Sequence, residues 1–281
     1  MRFGVLGPLS VLTTDRREVR VPEQKIRLLL ADLLAHGGRP VSTDRLVQDL
    51  WGDAPPVNPV GALQIKVSRL RRVLEDAEPG GRDLVVSLAT GYALRTPPDA
   101  VDAERFEALV QRAGDAPEPR RRAALLCEAL GLWRGAAFAD FDDQAFLQPA
   151  ITRLEERRLS AYEDRAEARL ALAEHQALTG ELGELVGRYP LRERLRASYM
   201  LALYRSGRQA EALAAYEELR RLLVEEMGLD PGAELVALHG AILRQDPALR
   251  LAPGPGAAPA TTPAAAPTTT PGTTCPPRSA R

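Results

Sequence analysis

The spacing of apolar positions changes along the chain. Residues 2–21 carry short apolar runs, Phe3-Gly-Val-Leu6, Leu9-Ser-Val-Leu12 and Val19-Arg-Val21, separated by Gly7-Pro8 and the polar stretch Thr13–Arg17. This predicts three short strands joined by turns. From Glu23 to Ala35 the period lengthens. Ile26, Leu29, Leu30, Leu33 and Leu34 recur at i, i+3, i+4, i+7 and i+8, one face of a helix that Gly37-Gly38 stops. A shorter helix is expected over Thr43–Trp51, with Ser42 as N-cap, Val41 and Leu46 as a hydrophobic staple, and Gly52 after its end. A proline-stiffened loop, Asp53–Pro59, leads to a third helix reaching about Asp76. Its apolar stripe is Leu63, Val67, Leu70 and Leu74. At about 100° per residue, Ile65, Arg69 and Arg72 face the opposite way, with Lys66 and Ser68 beside them. Pro79-Gly-Gly81 interrupts the chain, and Leu84–Leu88 and Tyr92–Arg95 around Ala89-Thr90-Gly91 predict a β-hairpin.

Beyond Pro97-Pro98 only helical periods occur, over about 102–114, 118–133, 145–178, 181–188, 192–206, 208–227 and 232–245. Gly207, Ala212 and Tyr216 fall where a helix–turn–helix repeat places its small and aromatic packing residues. Trp133, Phe138 and Phe141 are expected to plug helix packing, with a peptide pocket as the alternative, and the run Arg153–Arg169 to form a solvated face with i, i+4 pairs. Residues 251–281 contain eight prolines among Ala, Thr and Gly, too little apolar surface to offset ordering entropy, so a disordered tail is expected.

The net charge of −1 is unevenly distributed. Residues 1–96 carry 14 Lys+Arg against 11 Asp+Glu, whereas residues 97–250 carry 21 against 27. A basic first part and an acidic second part suit a DNA binder joined to a protein-contacting module. The two cysteines, Cys127 and Cys275, make no disulfide framework, and Cys127 reads as a small core residue. There is no secretory leader and no apolar run approaching a membrane span, so a cytoplasmic protein is expected. His36, His175 and His239 lie in separate segments without metal-ligand spacing. Neither a phosphate loop, a dinucleotide fingerprint nor a nucleophile elbow is present. The expectation is a protein that is not an enzyme, without cofactor or metal.

Two helices and a third, amphipathic one followed by a hairpin describe a winged helix-turn-helix, and the preceding strands narrow it to the OmpR/PhoB type. Leu46-Val-Gln-Asp-Leu-Trp-Gly52, Leu63-Gln-Ile-Lys-Val-Ser-Arg-Leu-Arg-Arg-Val-Leu74 and Gly91-Tyr-Ala-Leu94 resemble the DNA-binding domain of the Streptomyces antibiotic regulatory proteins. Pro190–Arg196, Leu201–Leu213 and Gly228–Leu235 are similar to the bacterial transcriptional activation domain of the same family. The reading is therefore an α+β winged-helix domain at 1–96, an all-α, TPR-like repeat domain at 97–250, and the tail at 251–281.

A winged helix lays its third helix in the major groove, where arginine can bond bidentately to guanine. Arg69 and Arg72 are the first candidates for contact with double-stranded DNA. Lys66 and Ser68 flank them, Ile65 is placed to meet a thymine methyl, and Arg71 is expected at the edge of the face, pairing or touching phosphate. The helix starts at Thr43 and Asn58 offer backbone amides to phosphate. Thr90 marks the wing tip. Wings of this type often carry a basic residue there, but this one has none between Asp83 and Leu94. The resemblance further implies a homodimer on promoter direct repeats, an activating role at a secondary-metabolite cluster, and contact of the Asp53–Pro59 loop with RNA polymerase. A protein-interaction scaffold with lost DNA binding is the reading from another class, supported by the uncharged wing alone.

Overall fold

A computed structural model describes residues 1–250; the expected disordered tail lies outside the described residues. Strands β1 (Arg2–Gly4) and β2 (Ser10–Leu12) pair antiparallel with Phe3 opposite Val11. The third expected strand shrinks to one bridge, Leu12 with Glu18, beside a hydrogen bond from Val19 N–H to the Val11 carbonyl. Pro22, lacking an N–H, cannot extend the ladder. Helices α1 (Gln24–Ala35), α2 (Thr43–Trp51) and α3 (Pro59–Ala77) follow, then the hairpin β4 (Val85–Leu88) and β5 (Gly91–Leu94).

The hairpin gains a third strand that local pattern does not reveal. β3 is only Val41–Ser42, and it pairs with β5 to give the order β3-β5-β4. Gly91 permits this approach, because a Cβ there would lie 1.9 Å from the Val41 carbonyl oxygen. The stripe Leu63, Val67, Leu70 and Leu74 is buried as its period predicts, and α3 packs on α1 and α2. The Ser42 cap is also observed, its Oγ accepting from Arg45 N–H at 3.2 Å.

The second part contains α4 (Asp102–Gly114), α5 (Pro119–Leu130), α6 (Gln148–Ala171), α7 (His175–Arg188), α8 (Glu193–Arg205), α9 (Gln209–Met227) and α10 (Ala233–Leu243). α4 packs on α5, α5 on α6, α7 on α8 and α8 on α9. The helix expected over 145–178 ends at Ala171, and α7 absorbs both the rest of it and the segment 181–188. Ala173 adopts φ 64° there, so a left-handed residue reverses the chain without a glycine. Ala212 and Tyr216 are buried as expected of a repeat, and Tyr216 stacks on His239 with ring centroids 3.9 Å apart. Cys127 is exposed, contrary to expectation, because it falls past the edge of the buried stripe Leu125, Leu126, Ala129 and Leu130. The charges of α6 mostly bridge helices instead of pairing along one. Arg194 of α8 meets Glu163, Asp164 and Glu167, and Arg169 meets Glu181 of α7.

One core runs from the winged helix into the helical part. Phe3, Val5 and Leu6 share it with Phe106, Phe138, Phe141 and Leu147. Phe138 and Phe141 are buried and Trp133 packs edge-on against Phe106, so these aromatics plug packing. Phe3 N–H donates to the Ala100 carbonyl at 2.8 Å. The Asp102 carboxylate accepts from the amides of Val5 and Leu6 at 2.8 and 3.2 Å. In return, Phe138 and Arg134 amides donate to the carbonyls of Val5 and Leu6. Backbone that would be a free sheet edge is thereby satisfied by the neighbouring part.

Candidate nucleic-acid interface

α3 starts from a defined cap. Asn58 Oδ1 accepts from Gly61 N–H at 2.9 Å, and Pro59 occupies the first helical position, where no donor is needed. Only the Val60 amide of the first turn is left without a partner, so Asn58 organises the helix start and its side chain is already engaged. At α2 the outcome differs from expectation. Thr43 N–H donates to the Thr90 carbonyl at 3.2 Å, which ties the helix start to the wing tip and removes that amide from phosphate binding. Thr90 keeps an exposed side chain, but its carbonyl is used in this tie.

With the leucine stripe buried, α3 presents Gln64, Ile65, Ser68, Arg69 and Arg72 to solvent. Ile65 is 54 % exposed, and Arg72 reaches Asp76 at 3.6 Å while its side chain stays 83 % exposed. Gln64 was not singled out by helical angle because it lies at the rim of the face. Its amide can nevertheless bond bidentately to adenine.

The two flanks of this face are built differently. On the wing side Arg71 donates from Nε and Nη2 to the Val85 carbonyl at 2.9 and 2.6 Å, and from Nη2 to Ser87 Oγ. It fastens the wing to α3 and has little left for phosphate. On the α1 side Lys66 and Arg69 both meet Glu23, the residue before α1; Arg69 Nη1 lies 3.0 Å from Glu23 Oε2. Sequence reasoning missed Glu23 because it stands 43 positions before Lys66 and has no periodic relation to it. The hydrogen bond from Lys66 holds the Glu23 carboxyl below its usual range, so it is ionised at neutral pH.

Elsewhere in the winged helix, α1 and α2 share an ionisable cluster. Asp32 is fully buried on α1, and His36 Nδ1 lies 3.1 Å from its carboxylate. Asp49 of α2 is nearly buried and pairs with Arg45 at 2.7 Å. Hydrogen bonding to Asp32 raises the His36 pKa, and burial raises that of Asp49. A raised histidine contributes stability that is complete below about pH 6.5 and lost as pH rises through the folded value. The raised Asp49 has the same sign at lower pH. The melting temperature is therefore expected to fall as pH rises above about 6.5, and His36→Asn to flatten that slope. Equal slopes in both proteins, followed by circular dichroism, would exclude His36 as the titrating group.

No cluster of His, Cys, Asp and Glu among the described residues has the arrangement of a metal site. No helix among them is long and apolar enough to cross a membrane.

Residues 16–94 match the family described as "Transcriptional regulatory protein, C terminal", and residues 101–243 match the bacterial transcriptional activator domain. The regulatory protein DnrI of Streptomyces peucetius is 36 % identical over 257 residues, covering 89 % of this chain and 94 % of that protein. The chain belongs to the Streptomyces antibiotic regulatory protein family of transcriptional regulators. The transcriptional regulator RedD of Streptomyces coelicolor is 39 % identical over 257 residues, covering 89 % of this chain and 73 % of its own length. AfsR of Streptomyces griseus is 40 % identical over 253 residues, and this chain spans 25 % of its length. A solved structure of Mycobacterium tuberculosis EmbR with a low-affinity phosphopeptide superposes with a TM-score of 0.82 at 35 % identity. That match covers 88 % of this chain and 65 % of the EmbR chain. Membership in this regulator family accounts for the winged helix as a DNA-binding domain and for its pairing with a helical-repeat domain.

Proposed function

We propose that this protein binds direct-repeat promoter sites as a homodimer and activates a secondary-metabolite gene cluster by recruiting RNA polymerase. The observation that carries the DNA-reading part is the solvent face of α3, where Gln64, Ile65, Ser68, Arg69 and Arg72 stand clear of the domain. Ile65 offers a methyl-sized apolar contact, and the arginines offer guanine or phosphate contacts. Ser68 and the Val60 amide are placed for phosphate or base edges. Lys66 contributes charge at the α1 flank, and Thr90 contributes a hydroxyl at the wing. Asn58 and Thr43 act indirectly, by holding the helix starts. With no basic wing residue, recognition rests on the major groove.

For activation, the loop between α2 and α3 carries the support. Val57 in this loop is fully exposed, and the side chain of Val60, in the first turn of α3 beside it, is 46 % exposed. Two apolar side chains exposed within three residues of each other offer a small contact for a protein partner. Direct repeats one or more helical turns apart would place successive protomers on one side of the duplex.

Genome-wide capture of DNA by the purified protein, with titrations at two salt concentrations, tests the reading. Enrichment of a few repeat sites upstream of biosynthetic genes, with salt-dependent affinity, is the expected result. Diffuse weak binding would overturn it. Val57→Asp separates the two roles: transcription from a captured promoter is expected to fall at least tenfold while duplex affinity changes no more than about fivefold, since one rim charge costs about a kcal/mol or less at DNA. Equal loss of both would remove the loop from polymerase contact.

A further inference from the structure

Glu23 occupies the N-cap position of α1 with extended backbone, φ −111° and ψ 131°, yet its side chain makes no cap hydrogen bond. Caps are better made by Ser, Thr, Asp or Asn. Its carboxylate is spent on α3 instead: Oε1 accepts from Lys66 Nζ and Oε2 from Arg69 Nη1. Lys66 is largely covered, whereas Arg69 remains 59 % exposed. Arg69 gives Glu23 one nitrogen only. Among the described residues its Nε and Nη2 take no partner, so part of the guanidinium edge that reads guanine is open.

We propose that Glu23 is a specificity-determining residue of the DNA-reading surface, acting by positioning Arg69 and by cancelling charge that Lys66 and Arg69 would offer to any phosphate. This rests on the assignment of α3 as the reading helix. Non-specific affinity comes almost wholly from phosphate neutralisation, with a salt slope of about 0.9 per phosphate. A carboxylate shared by two cations lowers that term. Site-specific affinity also needs a base-reading arginine held in one orientation, and an anchored guanidinium loses less freedom on binding. Both effects widen the gap between the selected site and random sequence.

The test uses the full chain as wild type, Glu23→Gln, Glu23→Asp, Arg69→Ala and Arg72→Ala. Each is titrated with the best duplex selected from a random library and with a scrambled duplex of equal length, across a salt series. Glu23→Gln is expected to bind the scrambled duplex about 3–10-fold tighter, with a slope steeper by about one, and the selected duplex no tighter. The specificity ratio then falls by the same factor, and Glu23→Asp restores part of it. A merely structural role would lower the melting temperature and leave the ratio alone. If Glu23→Gln shifts both affinities equally, or neither, while Arg69→Ala weakens the selected duplex, the role of Glu23 is overturned and the reading face stands. If Arg69→Ala and Arg72→Ala both leave the selected duplex unaffected, the face itself is wrong, and Glu23 falls with it.

Discussion

Replacing Arg69 and Arg72 together with alanine is expected to weaken binding of a captured promoter site by roughly 30-fold to 10⁴-fold. An arginine that reads a base discriminates by about 1–3 kcal/mol, and 1.4 kcal/mol is tenfold in affinity. Arginines that touch only phosphate would leave a smaller loss, spread evenly over all sequences, with the salt slope reduced by up to about two. The melting temperature should not move. Arg72's partner Asp76 is 71 % exposed, and Glu23, the partner of Arg69, keeps its bond to Lys66, so neither truncation leaves a buried charge unpaired. Isothermal titration or fluorescence anisotropy at two salt concentrations separates these outcomes. Unchanged affinity and slope would remove this face of α3 from DNA contact.

The second large effect concerns the joint between the two parts. Phe138→Ala is expected to destabilise the entire described structure by about 3–5 kcal/mol, the usual cost of truncating a buried phenylalanine. Phe138 is 1 % exposed and shares a core with Phe3, Val5 and Leu6, while its amide holds the Val5 carbonyl. For a chain of this size the corresponding fall in melting temperature is about 6–20 °C. DNA binding should be lost in step with unfolding, although the substitution lies outside the winged helix. The same reasoning predicts that a fragment ending at residue 96 will not melt cooperatively, since β1 would lose its bond to Ala100 and the following Val5 and Leu6 their bonds to Asp102 and Phe138. A fragment melting near the full chain's temperature would show that the shared core is dispensable.

How far the chain could be read locally is clear from particular elements. The three helices of the winged helix, and those at 102–114, 193–205, 209–227 and 233–243, are found within a residue or two of where period and caps place them, whereas the bounds of α5, α6 and α7 differ by three to seven residues. The stripe Leu63, Val67, Leu70 and Leu74 is buried, and its opposite face is exposed, because a helix bears its side chains at constant angular steps. Local signals failed where the deciding partner is remote. β3 is two residues long and exists because β5 lies beside it. The break after Ala171 carries neither Gly nor Pro, and it follows from α7 folding back along α6. Arg71 was expected at the edge of the DNA face, pairing or touching phosphate, and only the packed wing shows that it pairs.

The candidate site shows the same division. Sequence alone settled that Ile65, Ser68, Arg69 and Arg72 share the face of α3 opposite its leucine stripe, that Ser42 caps α2, and that the wing tip is uncharged, since these depend on order and spacing. Tertiary structure alone decided which members of that face are free to act. It tied Thr43 to Thr90, spent Arg71 on the wing and set Glu23 against Lys66 and Arg69. Local periodicity specifies the direction in which a side chain points. Pairing between charges on different elements depends on distances that exist only after α1, α3 and the wing have packed.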